Sequence, residues 1–211
     1  DNTCNTIFRC FPSVRLICNR TNTGFGAGNN TGLRRSRYDH ILLINPDTVA
    51  NAHALRTLWV FLQEHPAVGV VGPEQMNVAG RFLFTTSKLS VGGVLTFLIE
   101  SVLWRLTSAR RIVFSPIIVV KQLNAGCIMA RRDILGATHQ WFDPALLFYG
   151  EEFSFFPRVC ARGLKIYFLR RAVIVHHRDR SINQSGGRFR NAALSFASVA
   201  QSRILRLTSS S

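Results

Sequence analysis

The feature that most constrains the fold is a series of short apolar runs rich in β-branched residues, which are typical of buried strands. The runs cover residues 14–18, 40–44, 68–71, 116–120, 166–169 and 172–175. Residues 51–64 instead carry apolar side chains at helical spacing, with Thr48 or Asn51 as the alternative N-caps and Pro66 beyond the end. Strands that alternate with helices over about 30 residues predict an α/β fold with a mostly parallel sheet flanked by helices.

Length and composition predict one globular domain with a C-terminal extension. The chain has 211 residues, of which 47% are hydrophobic and 18% charged, so it can bury a substantial core. We expect a core domain over residues 1–177 and a basic, amphipathic helical extension over residues 178–211. The apolar segment 91–104 contains Glu100 and falls short of the ~20 residues that a membrane span needs. It is typical of a core helix or an interfacial helix.

The charge balance points to a polyanionic partner. There are 26 Lys and Arg residues against 11 Asp and Glu, a net charge of +15, and most of the excess is arginine. Such a surface suits nucleic acid, an anionic membrane or a phosphorylated lipid, although arginine-rich codon usage accounts for it equally well. We do not expect a nucleic-acid partner, because the aromatic residues lie in apolar runs and do not alternate with arginines.

The cysteines predict a reduced protein. They are five in number, without a Cys-x-x-Cys pair, namely Cys4, Cys10, Cys18, Cys127 and Cys160. An odd number without metal-site spacing indicates neither a disulfide framework nor a zinc site, so we expect free thiols and a cytoplasmic location.

Two polar segments lie near predicted strand ends. Residues 22–32 carry four glycines, which let a backbone approach a ligand closely; a plain loop that leads into a helix is the alternative. The second segment, Asn45-Pro46-Asp47, follows the predicted strand at residues 40–44. A carboxylate at that place can hold a hard cation against diphosphate oxygens, and an ordinary turn with a helix cap is the alternative.

Two further motifs carry titratable side chains. Glu151 and Glu152 are adjacent acids in an aromatic-rich stretch, where burial would raise a carboxyl pKa towards the range of a general base. Acids that favour a helix N-terminus are the alternative interpretation. His176 and His177 follow the last predicted strand, where a histidine can bind a metal or a phosphate, or serve a structural role.

Taken in order, these motifs resemble family 2 glycosyltransferases. The segments that carry the resemblance are Asn-Thr-Gly-Phe-Gly-Ala-Gly-Asn-Asn-Thr-Gly, Leu-Ile-Asn-Pro-Asp-Thr, Val-Val-Gly-Pro, Ala-Gly-Cys-Ile-Met-Ala-Arg-Arg, Phe-Asp-Pro-Ala-Leu-Leu-Phe-Tyr-Gly-Glu-Glu and Val-Ile-Val-His-His. The resemblance begins at Asp1-Asn2, extends to about residue 207, and is strongest to the bacterial rhamnosyltransferase-like branch.

The resemblance implies a GT-A fold, a Rossmann-like α/β sheet, and inverting transfer from a nucleoside diphosphate sugar with Mg²⁺ or Mn²⁺. The expected acceptor is a hydroxyl of a lipid-linked or cell-surface polysaccharide, reached from the cytoplasm at the inner face of the cell membrane. Glu152 would be the catalytic base and Glu151 its neighbour, and Asp47 and His177 would bind the metal. The residues implied for the nucleotide sugar are Asp1, Asn22, Gly24, Asn30, Asn45, Asp47 and Arg158.

Four departures from the family pattern motivate a second hypothesis. We expect a strand–helix unit before Asp1 that this sequence lacks, and the segment after Asp1 carries Cys4 and Thr6 in place of the usual serine and acid. Glu152 replaces the usual aspartate. Ser154 stands where an acid is expected, and Pro157 falls in a predicted helix. The alternative is therefore a truncated, non-catalytic relic that binds nucleotide.

Overall fold

The computed structural model describes residues 2–83, 116–136, 139–144 and 151–177. The helices are α1 (Thr3–Cys10), α2 (Gly24–Arg35), α3 (Ala52–Glu64) and α4 (Glu151–Ala161). The strands are β1 (His40–Ile44), β2 (Thr48–Val49), β3 (Val68–Met76), β4 (Ile117–Val120), β5 (Cys127–Arg131) and β6 (Lys165–His176). The predicted extension at 178–211 and the segment 91–104 lie outside the described residues.

The described strands form one sheet in the order β1-β5-β3-β6-β2, with β4 paired to part of β6. The α/β class with a central sheet is confirmed, but a mostly parallel sheet is wrong for these strands. Only β3 and β6 pair in parallel, whereas the other four pairings are antiparallel. A continuous apolar run indicates that a strand is buried on both faces of a sheet, but it carries no information about the direction of the neighbouring strand. The sequence pattern therefore did not predict the antiparallel pairings.

Helices cover both faces of the sheet. On one face, α2 and α4 contribute Leu33, Phe155, Phe156 and Val159 to a core that includes Trp141 and Phe142. On the other face, α3 contributes Ala54, Leu58, Phe61 and Leu62. Alternate residues of β1 and β5 serve the two cores, as the period of two in a strand requires. The result is a three-layer arrangement.

Helix α3 begins and ends as its sequence predicts. The side chain of Asn51 accepts a hydrogen bond from the backbone N–H of Ala54 at 2.7 Å, so Asn51, rather than Thr48, is the N-cap. At the other end, the guanidinium of Arg131 donates to the carbonyl oxygens of Leu62 and Val68. A cation at the carbonyl end of a helix is favourable.

Two strand predictions need correction. Residues 14–18 form no strand; Val14 is 54% exposed, and no described strand pairs with the segment. The two runs at 166–169 and 172–175 are a single strand, β6, whose register against β3 shifts between Pro73 and Glu74. The shift leaves residues 170–172 as a bulge, which explains why the sequence pattern breaks there.

The expectation of five reduced thiols is wrong for one pair. Cys4 and Cys18 form a disulfide with their Cα atoms 6.2 Å apart, and Cys10, Cys127 and Cys160 are free. No spacing signal predicted this bond, because the two cysteines are 14 residues apart and belong to no recognisable framework. Burial raises the pKa of the Cys127 thiol to about 12, which leaves it inert.

No helix within the described residues is long and apolar enough to cross a membrane.

Candidate active site

The strands place a cluster of polar groups at one edge of the sheet. Strands β1, β3 and β6 all end at this edge, and β5 begins there, because Ile44 pairs with Cys127 and Met76 pairs with Val175. The backbone N–H of Asn45 continues the contact by donating to the carbonyl of Gly126 at 2.8 Å. We call this the active edge.

A carboxylate and an imidazole meet at the active edge. The Nε2 atom of His176 lies 3.1 Å from Oδ1 of Asp47, and its Nδ1 atom lies 2.9 Å from Oε1 of Gln75. His176 and Gln75 are buried. Contacts at both ring nitrogens hold the orientation of the His176 imidazole, with Nε2 directed at Asp47.

The pair suits a hard divalent cation. Asp47 and His176 would hold the cation through a carboxylate oxygen and the imidazole Nε2 atom, which lie 3.1 Å apart as a hydrogen-bonded pair. The hydroxyl of Thr48, next to Asp47, is buried without a hydrogen-bond partner. Within the described ranges no group of three or more metal-binding side chains occurs. Two protein ligands are nevertheless typical of cations that bind mainly water and phosphate.

The two histidines differ in how they contact Asp47. Thr48 pairs with His176 across β2 and β6, so the turn Asn45–Asp47 is held beside the end of β6. His177 donates its backbone N–H to the carbonyl of Asp47 at 2.8 Å. The sequence suggested His177 as the metal ligand, whereas the side chain that the fold brings to Asp47 is that of His176. Adjacent strand residues point to opposite sides, and the sequence alone does not say which one faces the turn.

Asn45 contributes through its backbone in this structure. Its carbonyl accepts from the N–H of Thr48 at 3.1 Å, so Asn45-Pro46-Asp47 is a turn, as one of the two interpretations expected.

The loop before β5 connects the Asp47–His176 pair to Glu152. The backbone N–H of Ala125 lies 3.4 Å from Oε1 of Glu152. On its other side, Gly126 packs so closely against His176 that a Cβ atom there would lie 2.7 Å from the imidazole Cε1. Asn124 fixes the loop by accepting from the N–H of Gly126 at 2.8 Å. A three-residue loop therefore lies between the proposed base and the carboxylate–imidazole pair.

Asn124 and Gln75 were not singled out by the sequence, and Gly126 was noted only as part of the segment Ala-Gly-Cys-Ile-Met-Ala-Arg-Arg, without a role. The small residue pair Ala125–Gly126 directly before a buried strand is typical of close backbone packing. Gln75 gave no signal, because it lies beyond the apolar run that marks β3.

The two adjacent glutamates lie in different environments. Glu152 is partly exposed, whereas Glu151 is buried, and its Oε1 atom has no hydrogen-bond partner. Desolvation, reinforced by the neighbouring charge of Glu152, raises the pKa of Glu151 to about 7, although a backbone hydrogen bond opposes the shift. Both acids occupy the first turn of α4, where the helix dipole favours negative charge. The interpretation as a buried carboxyl with a raised pKa therefore describes Glu151. The interpretation as acids at a helix N-terminus describes the position of both residues.

The glycine-rich segment is mostly helix. Helix α2 begins at Gly24, whose φ of 81° is accessible to glycine, and its N–H donates to Oδ1 of Asn22 at 3.0 Å. Gly26 is needed for packing, since a Cβ there would lie 3.0 Å from Cβ of Phe142 and 3.4 Å from Cγ of Glu151. The start of α2 thus packs against the buried Glu151. This arrangement agrees with the alternative interpretation of the segment, a plain loop that leads into a helix.

Two residues suggested for the nucleotide sugar hold a loop in place. The side chain of Asn30 is buried; it donates to the carbonyl of Phe142 at 2.8 Å and accepts from the N–H groups of Trp141 and Phe142. Arg158 donates to the carbonyls of Trp141 and Gln140. Burial lowers the pKa of Arg158, an effect that nearby Asp143 opposes. These contacts hold residues 140–142 in place and are not directed at the active edge.

Asp1, which the resemblance assigns to the nucleotide base, lies outside the described residues.

Pro157 does not end α4, which continues to Ala161.

Comparison with known proteins identifies the family of this chain and supports the fold. The model of the family described as glycosyl transferase family 2 matches residues 2–136, which is more than half of the chain and ends before Glu151. No curated protein matches the sequence.

Two solved structures are similar. The crystal structure of GalNAc-T7 with UDP, GalNAc and Mn²⁺ superimposes with a TM-score of 0.58 at 12% identity, covering 82% of this chain and 33% of that one. The crystal structure of a mycobacterial protein has a TM-score of 0.43 at 18% identity, covering 92% of this chain and 53% of that one. The chain thus spans about a third of the length of the first protein and about half of the length of the second. The first shows that the fold is GT-A-like, and the family match shows that this chain belongs to glycosyl transferase family 2.

Proposed function

We propose that this chain is an inverting glycosyltransferase that moves a sugar from a nucleoside diphosphate sugar to an acceptor hydroxyl. The observation that carries the proposal is the meeting of the Asp47–His176 pair and Glu152 around the loop 124–126. A cation-binding pair and a carboxylate base at one sheet edge are the two groups that this reaction needs on opposite sides of the sugar.

In the proposed reaction Glu152 acts as the general base. Its carboxylate takes the proton from the acceptor hydroxyl as that oxygen attacks the anomeric carbon. The bond between this carbon and the diphosphate oxygen breaks, and its electron pair leaves with the diphosphate. Attack from the face opposite the leaving group inverts the configuration. Glu152 is partly exposed and therefore accessible to an acceptor.

Glu151 is proposed to position its neighbour. With a pKa of about 7 it is about half protonated at neutrality, so it adds less negative charge beside Glu152 than an ordinary glutamate would. Its packing against α2 at Gly26 fixes the start of α4, from which Glu152 projects.

Asp47 and His176 are proposed to hold a divalent cation, Mg²⁺ or Mn²⁺. When bound, such a cation neutralises the charge that develops on the leaving diphosphate. The GalNAc-T7 structure contains Mn²⁺ and UDP, which supports a divalent cation in a fold of this kind. Asn22, Gly24 and Asn45 remain proposed contacts of the nucleotide sugar, whereas no cation contact is proposed for the side chain of His177.

We further propose a rhamnosyl or hexosyl donor and a lipid-linked or cell-surface polysaccharide acceptor, used at the cytoplasmic face of the cell membrane. The resemblance to the rhamnosyltransferase-like branch supports this choice, together with the net charge of +15, which suits a membrane-borne phosphorylated lipid.

Release of nucleoside diphosphate from a panel of sugar nucleotides, with Mg²⁺ or Mn²⁺ and with hydroxyl acceptors, tests the proposal. We expect turnover by the wild-type chain and a loss of about 10²-fold or more in Glu152→Gln, which keeps the shape of the side chain but cannot accept the proton. Glu64→Gln, an exposed glutamate at the end of α3, is the matched control and should retain activity. A folded wild-type chain that binds nucleotide yet turns over no donor would support the non-catalytic relic instead.

A further inference from the structure

The surface formed by α1 and the residues after it is unusually apolar for an exposed part of a protein. No residue of α1 is buried. Phe8 is 71% exposed, Phe11 58% and Val14 54%. Exposed aromatic side chains that are grouped, rather than scattered singly, mark an interaction site.

Phe8, Phe11 and Val14 follow one another at intervals of three residues. Phe8 and Phe11 are three residues apart across the end of α1, where the N–H of Phe11 donates to the carbonyl of Ile7 at 2.9 Å. The N–H of Val14 in turn donates to the carbonyl of Phe11 at 3.0 Å, which folds the chain back. The disulfide from Cys4 to Cys18 ties the whole segment together.

Arginines border the apolar residues. Arg15 follows Val14 directly and donates to the carbonyl of Arg35 at 3.0 Å, which joins the segment to the end of α2. Arg34 and Arg35 belong to the last turn of that helix. All three arginines are exposed, and none forms an ion pair with a carboxylate in the part of the chain that the structure describes. Their charges are therefore available to an outside anion.

We propose that Phe8, Phe11 and Val14, with Arg15, Arg34 and Arg35, form a docking surface for an anionic lipid membrane, which we call the α1 face. A short amphipathic helix with exposed aromatics beside arginines binds in the plane of the headgroups, with the rings in the apolar boundary and the guanidinium groups on the lipid phosphates. Nucleic acid fits less well, because Val14 offers no ring for a base to stack on and the apolar residues are contiguous.

The α1 face leaves the active edge accessible. Helix α2 has Gly26 packed on Glu151 near its start and Arg34 and Arg35 at its end, so the arginines lie towards the opposite edge of the sheet. Docking through the α1 face would not cover Asp47, His176 or Glu152. This inference rests on the proposed function for the membrane-borne acceptor, although docking can be measured without any turnover.

Co-sedimentation of the full chain with vesicles of phosphatidylcholine alone, or of phosphatidylcholine with phosphatidylglycerol, tests the proposal. We expect binding to the anionic vesicles only, weakened by salt. Phe8→Ser with Phe11→Ser should lower the partition coefficient about tenfold or more through lost apolar burial. Arg34→Glu with Arg35→Glu should do the same through lost attraction.

Matched controls separate the α1 face from general charge and hydrophobicity. Trp59→Ser with Val78→Ser removes two exposed apolar side chains elsewhere, and Arg56→Glu with Arg171→Glu removes the same charge elsewhere. Both should change partitioning by less than about threefold. The proposal is overturned if the wild-type chain does not bind anionic vesicles, if the α1-face variants bind as tightly as the wild type, or if only an oligonucleotide is bound. Equal melting temperatures verify that the variants are folded.

Discussion

At the residue scale, the adjacent acids Glu151 and Glu152 show how one helical step separates two chemical environments. Successive helix residues are about 100° apart, so one carboxyl turns into the core beside α2 while the next reaches the loop 124–126. The sequence predicted an unusual acid pair among aromatics. It did not predict which acid is buried, because that depends on the rotation of α4 against α2.

The buried carboxyl predicts a specific pH dependence of stability. The folded-state pKa of Glu151, about 7, lies above its ordinary value of 4.5. The folded state therefore holds a proton that the unfolded state releases, so this group makes the free energy of unfolding fall as pH rises from about 4.5 to 7. Glu151→Gln should remove that slope and gain up to about 3 kcal/mol over the wild type between pH 5 and pH 8.

Urea unfolding of both proteins across this pH range measures the difference. Glu64→Gln, an exposed glutamate, should show a difference from the wild type that does not change with pH. A difference between Glu151→Gln and the wild type that is constant with pH would mean that Glu151 is ionised throughout and is not desolvated.

At the scale of elements, α2 has a different role from the one its glycines suggested. The glycine pattern predicted close backbone approach, and one such approach is present at Gly26, but it is made to Phe142 and Glu151 within the protein. Asn30 on the same helix holds the backbone of Trp141 and Phe142. Contacts between segments more than a hundred residues apart leave no local pattern in the sequence, which is why this one could not be predicted.

Asn30→Ala should destabilise the protein strongly. The change leaves two backbone N–H groups and one carbonyl without their partner in a buried place, at a cost of about 2–4 kcal/mol. For a domain of this size, that corresponds to a melting temperature lower by roughly 5–15 °C.

The neighbouring residue supplies the control. Asn29 donates only to the carbonyl of Phe25 within its own helix, so Asn29→Ala should shift the melting temperature by no more than about 2 °C. Similar shifts for the two variants, measured by thermal unfolding, would show that the loop 140–142 does not depend on Asn30.

At the scale of the whole molecule, local sequence patterns predicted individual elements better than they predicted the relative directions of the strands. The run at His40–Ile44 and the helix that Asn51 caps were confirmed because burial and capping leave signals within a few residues. The predicted strand at 14–18 was wrong, since an apolar run becomes a strand only when a neighbour pairs with it. The antiparallel pairing of β5 with β1 and β3 depends on the path of the chain between elements, which periodicity does not record.

The same distinction applies to the candidate site. The motifs predicted that Asp47, Glu152 and the two histidines lie at the ends of elements, because each follows or begins an element that the sequence predicts. The choice between His176 and His177, and the roles of Gly126 and Gln75, depend on the register between β2, β3 and β6. Register is a property of the assembled sheet.

The central claim is that Asp47 and His176 form the cation site for a nucleoside diphosphate, and the adjacent histidines provide the most direct test. Calorimetric titration with a panel of nucleoside diphosphates, with and without Mn²⁺, should show cation-dependent binding by the wild type. His176→Ala and Asp47→Asn should weaken it by about tenfold or more, whereas His177→Ala should change it by less than about threefold. Loss of cation-dependent binding in His177→Ala, with binding retained in folded His176→Ala and Asp47→Asn, would contradict this assignment.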